Sequence, residues 1–111
     1  MITESKIQQQ IVEYYRNTYC LKHHNPRHLI FSVPNEGKNV KEQMTKLATG
    51  MMSGVSDLII IQPNKIIFVE VKTQTGKQSP KQILFQDKVN KLGFKYILTR
   101  SLEDFKAQID E

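Results

Sequence analysis

Two apolar runs, Leu58-Ile59-Ile60-Ile61 and Ile66-Ile67-Phe68-Val69, constrain the fold of this chain more than any other stretch. Neighbouring side chains of a strand leave on opposite faces, so an uninterrupted run is apolar on both. Strands of that kind lie in the middle of a sheet covered on each side, typically by helices. Only Gln62-Pro63-Asn64-Lys65 separates the two runs, which makes them an antiparallel pair. Counting outward from Pro63-Asn64, Ile61 faces Ile66, Ile59 faces Phe68, and Asp57 faces Glu70.

The flanking segments supply helices and further strands. Residues 4–19 read as a helix N-capped by Thr3 or Ser5, with Ile7, Ile11, Val12, Tyr15 and Tyr19 as its apolar stripe. Leu29–Val33 is a short strand stopped by Pro34, and Asn35-Glu36-Gly37-Lys38 is a turn. Residues 40–49 form a helix closed by Gly50. Ser79-Pro80-Lys81-Gln82 opens another, with Ser79 as N-cap, Pro80 at the first helical position and Gln82 completing a capping box. Leu84, Phe85, Val89 and Leu92 give that helix a buried stripe, and Gly93 ends it. A strand over Lys95–Thr99 and a helix over Leu102–Ile109 complete the order α-β-(α)-β-β-α-β-α. The prediction is an α/β fold, a mixed central sheet flanked by helices, in one domain over residues 1–111.

Composition narrows the function classes. With 39% hydrophobic and 24% charged residues the chain is globular and not disordered. No run approaches the roughly 18 apolar residues of a membrane span. The opening MITESKIQQQ lacks the basic-then-apolar pattern of a secretory signal, and the single Cys20 forms no internal disulfide. A soluble, cytoplasmic protein is expected. The net charge of +5 points weakly to a polyanionic partner, but its placement says more. Lys72, Lys77, Lys81, Lys88, Lys91, Lys95 and Arg100 crowd residues 71–100 against Asp87 alone.

Chemistry concentrates where polar residues interrupt the two central strands. Glu70 and Lys72 share a strand face, and Asp57 stands opposite Glu70. Side chains so paired have Cβ atoms roughly 4.5–5.5 Å apart, where two carboxylates repel. A divalent cation between them removes the penalty, and Mg²⁺ favours one or two carboxylates with water and phosphate oxygens. Lys72, one pleat away, is placed to orient a water or to meet charge developing on a phosphate. The plainer reading is that Asp57 caps its strand while Glu70 and Lys72 form a surface ion pair. Against it, all three interrupt apolar strands, and the Gly54 loop leaves open space beside Asp57.

Four blocks carry a resemblance: Glu4 at the start of the first helix; Pro34-Asn35-Glu36-Gly37-Lys38; Gly54-Val55-Ser56-Asp57-Leu58; and Phe68-Val69-Glu70-Val71-Lys72, followed by Gly76-Lys77-Gln78-Ser79-Pro80-Lys81-Gln82. In this order they resemble the VRR-NUC family of the PD-(D/E)xK nuclease superfamily, whose core is restriction-endonuclease-like. Ser56 departs from the pattern, standing where the family usually has Pro. The resemblance implies a Mg²⁺-dependent DNA endonuclease, with Mn²⁺ able to substitute. It assigns the metal to Asp57, Glu70 and the Val71 carbonyl, and the attacking water to Lys72. Glu4 becomes an added metal or water contact and Gln82 an active-site residue; alone, Glu4 reads as a first-turn acid and Gln82 as a capping residue. Lys77, Lys81, Lys38 and Asn35 become DNA contacts. Small standalone members are similar to Holliday-junction resolvases, so a homodimer acting on four-way junctions is expected. The alternatives are a nuclease for flap or nicked DNA and a non-catalytic nucleic-acid-binding module.

Other signals carry less. Cys20, His23, His24 and His28 match no strong zinc spacing and read as an exposed basic loop. Gly76-Lys77 lacks the rest of a P-loop. Met44, Met51 and Met52 read as core or hinge filling, and Tyr14, Tyr15 and Tyr19 as core or an interface.

Overall fold

The computed structural model describes residues 2–34 and 39–110, so the turn holding Asn35 and Lys38 lies outside the described residues. The elements follow the expected order: α1 (Glu4–Tyr19), β1 (Leu29–Ser32), α2 (Val40–Ala48), β2 (Leu58–Gln62), β3 (Lys65–Val71), α3 (Pro80–Lys91), β4 (Lys95–Thr99) and α4 (Leu102–Ile109). Thr3 caps α1, its side chain accepting from Lys6 N at 3.2 Å.

The turn between β2 and β3 fixes the register. Gln62 pairs with Lys65, leaving Pro63-Asn64 as a two-residue turn, and Asn64 takes φ 58°, a left-handed conformation that Asn tolerates. Ile61 then meets Ile66 and Ile59 meets Phe68, as counted from the sequence. The sheet runs β1-β2-β3-β4, antiparallel except for the parallel β3–β4 pair that α3 connects. That is an α/β fold with a four-stranded mixed sheet flanked by helices.

Alternation sorts the strand residues onto two faces. Ile30, Leu58, Ile60, Ile67, Val69, Val71 and Ile97 are buried beneath Ile7, Ile11 and Tyr15 of α1 and Phe105 of α4. Each such aliphatic side chain contributes about 1.5–3 kcal/mol through its removal from water. Tyr14 and Tyr19 both donate to the Asp110 carboxylate, tying the end of α4 to α1. The opposite face carries the row Phe31, Ile59, Phe68 and Tyr96 and meets α3. Phe85 stands edge-on to Phe68 at 5.6 Å and to Tyr96 at 6.3 Å.

Three expectations need correction. Of the predicted α3 stripe, Val89 is buried, but Leu84 and Leu92 are 54% and 75% exposed. Leu84 is rotated about 100° from Phe85 around the helix, and Leu92 is already the C-cap. Met44 and Met52 are exposed rather than packed, and α2 has no buried residue at all. The histidine loop is not simply solvated. His28 stacks on Tyr19 with ring centroids 5.4 Å apart, and its Nδ1 lies 2.8 Å from the Tyr15 hydroxyl, which accepts from Gln62.

Candidate active site

The bend that leads into β2 delivers Asp57. Ser56 is fully buried, and its hydroxyl donates to the Leu58 carbonyl at 3.2 Å, closing the bend locally where a proline would have shaped it covalently. Asp57 is then held from both neighbouring strands. Its carbonyl accepts from Val33 N at 3.0 Å and its carboxylate from Val71 N at 2.7 Å. The ladder itself stops at Leu58–Val69, so Asp57 does not pair squarely with Glu70. Turning one carboxylate onto a backbone N–H relieves the repulsion that a square pairing would impose, while leaving the two acids side by side.

Glu70 lies on the α3 face of β3 and is 1% exposed. Gln82 Nε2 donates to its Oε2 at 3.1 Å, the Tyr96 hydroxyl lies 3.4 Å from its Oε1, and Lys72 Nζ lies 4.0 Å from Oε2. Burial, with the adjacent Asp57 second, pushes the Glu70 pKa up to about 8, against a smaller opposing pull from Lys72. Burial and Glu70 likewise push the Tyr96 hydroxyl well up.

Gln82 does two things with one amide. Its Oε1 accepts from Ser79 N at 2.8 Å, completing the capping box, while its Nε2 holds Glu70. Gly54 lines open space beside Asp57, as expected, and also makes a close contact. At φ +80° it packs so tightly that a Cβ there would stand 2.5 Å from the Lys81 carbonyl oxygen. The glycine thus also brings its loop against the first turn of α3.

Asp57, Glu70, Lys72, Lys81, Gln82 and Glu4 line one polar cavity of about 440 Å³. Glu4 and Lys81 are exposed at its rim, whereas Lys77 is exposed and not part of the lining. Sequence reasoning missed Tyr96 and its partner Gln78, whose amide lies 3.3 Å from the Tyr96 hydroxyl. Nothing short of the β3–β4 register could have found Tyr96, which belongs to no motif, while Gln78 stands inside the 76–82 block without a role assigned to it. Among the described residues, no cluster of three or more His, Cys, Asp or Glu side chains is arranged to hold a metal, Cys20 with its histidines included. The two-carboxylate set of Asp57 and Glu70 does suit one hard divalent cation, because burial and the adjacent Asp57 disfavour the charge on Glu70 that such an ion would neutralise.

A family model described as the VRR-NUC domain matches residues 2–102. The chain belongs to the VRR-NUC family. Its domain is accordingly of nuclease type, a class of hydrolase acting on nucleic acid. Two solved structures share the fold. One, titled a VRR_NUC domain protein, superposes with a TM-score of 0.78 at 17% identity, over 98% of this chain and 86% of its own. The other, a VRR_NUC domain, gives 0.65 at 22% identity over 99% and 100%. No curated protein matches the sequence. Among the described residues no helix is long and apolar enough to cross a membrane.

Proposed function

We propose that the protein is a Mg²⁺-dependent DNA endonuclease, one domain over residues 1–111, that hydrolyses phosphodiester bonds in branched DNA and resolves four-way junctions as a homodimer. The observation that carries this reading is the meeting of Asp57, Glu70 and Lys72 in one polar cavity, with Glu70 buried and its charge disfavoured unless a cation is present. Asp57, Glu70 and the Val71 carbonyl are the metal ligands, with Glu4 reaching metal or water from the rim. The bound ion supplies Lewis-acid polarisation of the scissile phosphate and charge neutralisation. Lys72 orients the water for in-line attack and meets the charge that develops on the phosphate. Gln82 keeps Glu70 in place, and Lys81, Lys77, Lys38 and Asn35 contact the DNA backbone. Dimerisation is argued from the substrate, since two symmetry-related strands call for two related sites. A lone Cys20 suits the cytoplasm.

The test is cleavage of linear duplex, flap, nicked and four-way junction DNA with Mg²⁺, Mn²⁺ or chelator, alongside Asp57→Ala and Lys72→Ala. Junction cutting that disappears with chelator and falls at least about 10³-fold in either variant is expected. Cutting that survives Asp57→Ala sinks the metal mechanism. Equal cutting of linear duplex removes the junction reading, and binding without cutting by the wild type points to a non-catalytic module. A monomer in sedimentation at micromolar concentration counts against paired cleavage.

A further inference from the structure

The loop between β3 and α3 folds back on the residue that precedes it. Gly76 N donates to the Thr73 carbonyl at 3.2 Å, closing a four-residue turn. Lys72 Cδ lies 3.5 Å from the point where a Cβ of Gly76 would stand, so the turn's backbone walls the stem of that lysine. The carbonyls of Thr73, Gln74 and Gly76 meanwhile converge. Three carbonyl oxygens pointing together repel unless a donor stands among them. Arg100 Nη1 stands there, donating to Thr73 O and Gly76 O at 2.6 Å each and more loosely to Gln74 O at 3.4 Å. Arg100 is itself anchored. It follows β4 directly, and its backbone N–H donates at 3.2 Å to Asp104, which also accepts from Gln108 on α4.

We infer that Arg100 is a positioning residue for Lys72: by clamping the turn at 73–76 it confines the lysine stem and holds the amine beside Glu70 and inside the cavity. The inference rests on the reading of Lys72 as the residue that orients water. Arg100 is not among the residues lining the cavity, and its Nη1 is engaged by the carbonyls of Thr73, Gln74 and Gly76, so its removal should act on turnover more than on DNA affinity. All three contacts converge on a single nitrogen, whose two hydrogens are shared among them, so a lysine ammonium with its three donors can stand in for that nitrogen. A methionine of similar length, having no donor, cannot.

The experiment compares wild type, Arg100→Lys and Arg100→Met, with Arg100→Gln in reserve should Arg100→Met fail to fold. Acetylation of Lys72 by an N-hydroxysuccinimide ester, followed by peptide mass spectrometry, reads the confinement directly. Single-turnover junction cleavage and junction binding by anisotropy read its consequence. In Arg100→Met, Lys72 should acetylate at least about fivefold faster and cleavage should slow about tenfold or more, with the junction Kd within about twofold. Arg100→Lys should recover most of both. Unchanged Lys72 reactivity in the folded Arg100→Met or Arg100→Gln protein overturns the inference whatever cleavage does. So does a cleavage loss that appears entirely as weaker binding. If the wild type cuts no DNA, the labelling rates still decide the Arg100–Lys72 link, so the nuclease reading fails separately.

Discussion

On the sheet face toward α1 and α4, Leu58, Ile60, Ile67 and Val69 are shut away beneath Ile7, Ile11, Tyr15 and Phe105. On the opposite face of the same sheet, Phe31 and Ile61 remain 42% and 36% exposed, and Glu70 sits in a polar cavity. The two faces share a backbone and a run of aliphatic residues, so composition does not separate them. Coverage does. Two helices seal the first face, while α3 meets the second along a line through Gln82, Phe85 and Val89. The partly covered face leaves room for ionisable groups at the strand ends, and the sealed one would not tolerate them.

The largest test of this difference is a matched pair of truncations. Ile60→Ala, on the sealed face, should cost about 3–4 kcal/mol in urea unfolding, whereas Ile61→Ala, its neighbour on the other face, should cost about 1 kcal/mol or less. Equal losses would mean that α3 seals the second face as well.

A smaller effect lies in the pH dependence of the metal-free protein. Glu70 is a carboxyl whose pKa rises from 4.5 to about 8 on folding. Between those values the unfolded chain has released the proton that the folded one keeps, so this group makes stability fall as pH rises. Its penalty is absent below about 4.5 and fully present above about 8. Glu70→Gln should therefore raise the stability of the metal-free protein at pH 8.5 by on the order of 2 kcal/mol, with the gain vanishing near pH 4. Thermal unfolding across that range reads it, and a gain that persists at pH 4 would assign the effect to packing instead. Metal affinity should rise over the same interval, since binding requires the deprotonated acid.

The smallest effect concerns Tyr96. At 3.4 Å its hydroxyl is a long partner for Glu70 Oε1. Tyr96→Phe should weaken Mg²⁺ binding by about threefold in calorimetric titration, less than the usual cost of removing a group that orients a metal ligand. A loss as large as that of Gln82→Ala would make the sheet side, rather than the helix side, the principal support of Glu70.

How legible all this was in the sequence depended on distance along the chain. The β2–β3 register was readable because a two-residue turn and strict alternation determine it locally. Asp57, Glu70 and Lys72 were readable because charged residues inside aliphatic runs need a reason. The capping box of Ser79 and Gln82 was local too, although only the fold shows that Gln82 also reaches Glu70. Tyr96 and Arg100 were invisible because their roles depend on β4 lying parallel to β3 after the α3 crossover. The exposure of Leu84 and Leu92 was equally hidden, since helical periodicity gives an apolar side but not how much sheet lies beneath it.

The double use of the Gln82 amide carries one more consequence. Its oxygen stitches the first turn of α3 and its nitrogen holds the carboxylate of Glu70, so neither bond can open without disturbing the group that makes the other. Fraying of the helix start and release of the acid are one local opening event. Whatever tightens that first turn, a phosphate at Lys81 included, also lowers the fraction of molecules in which Glu70 has swung free.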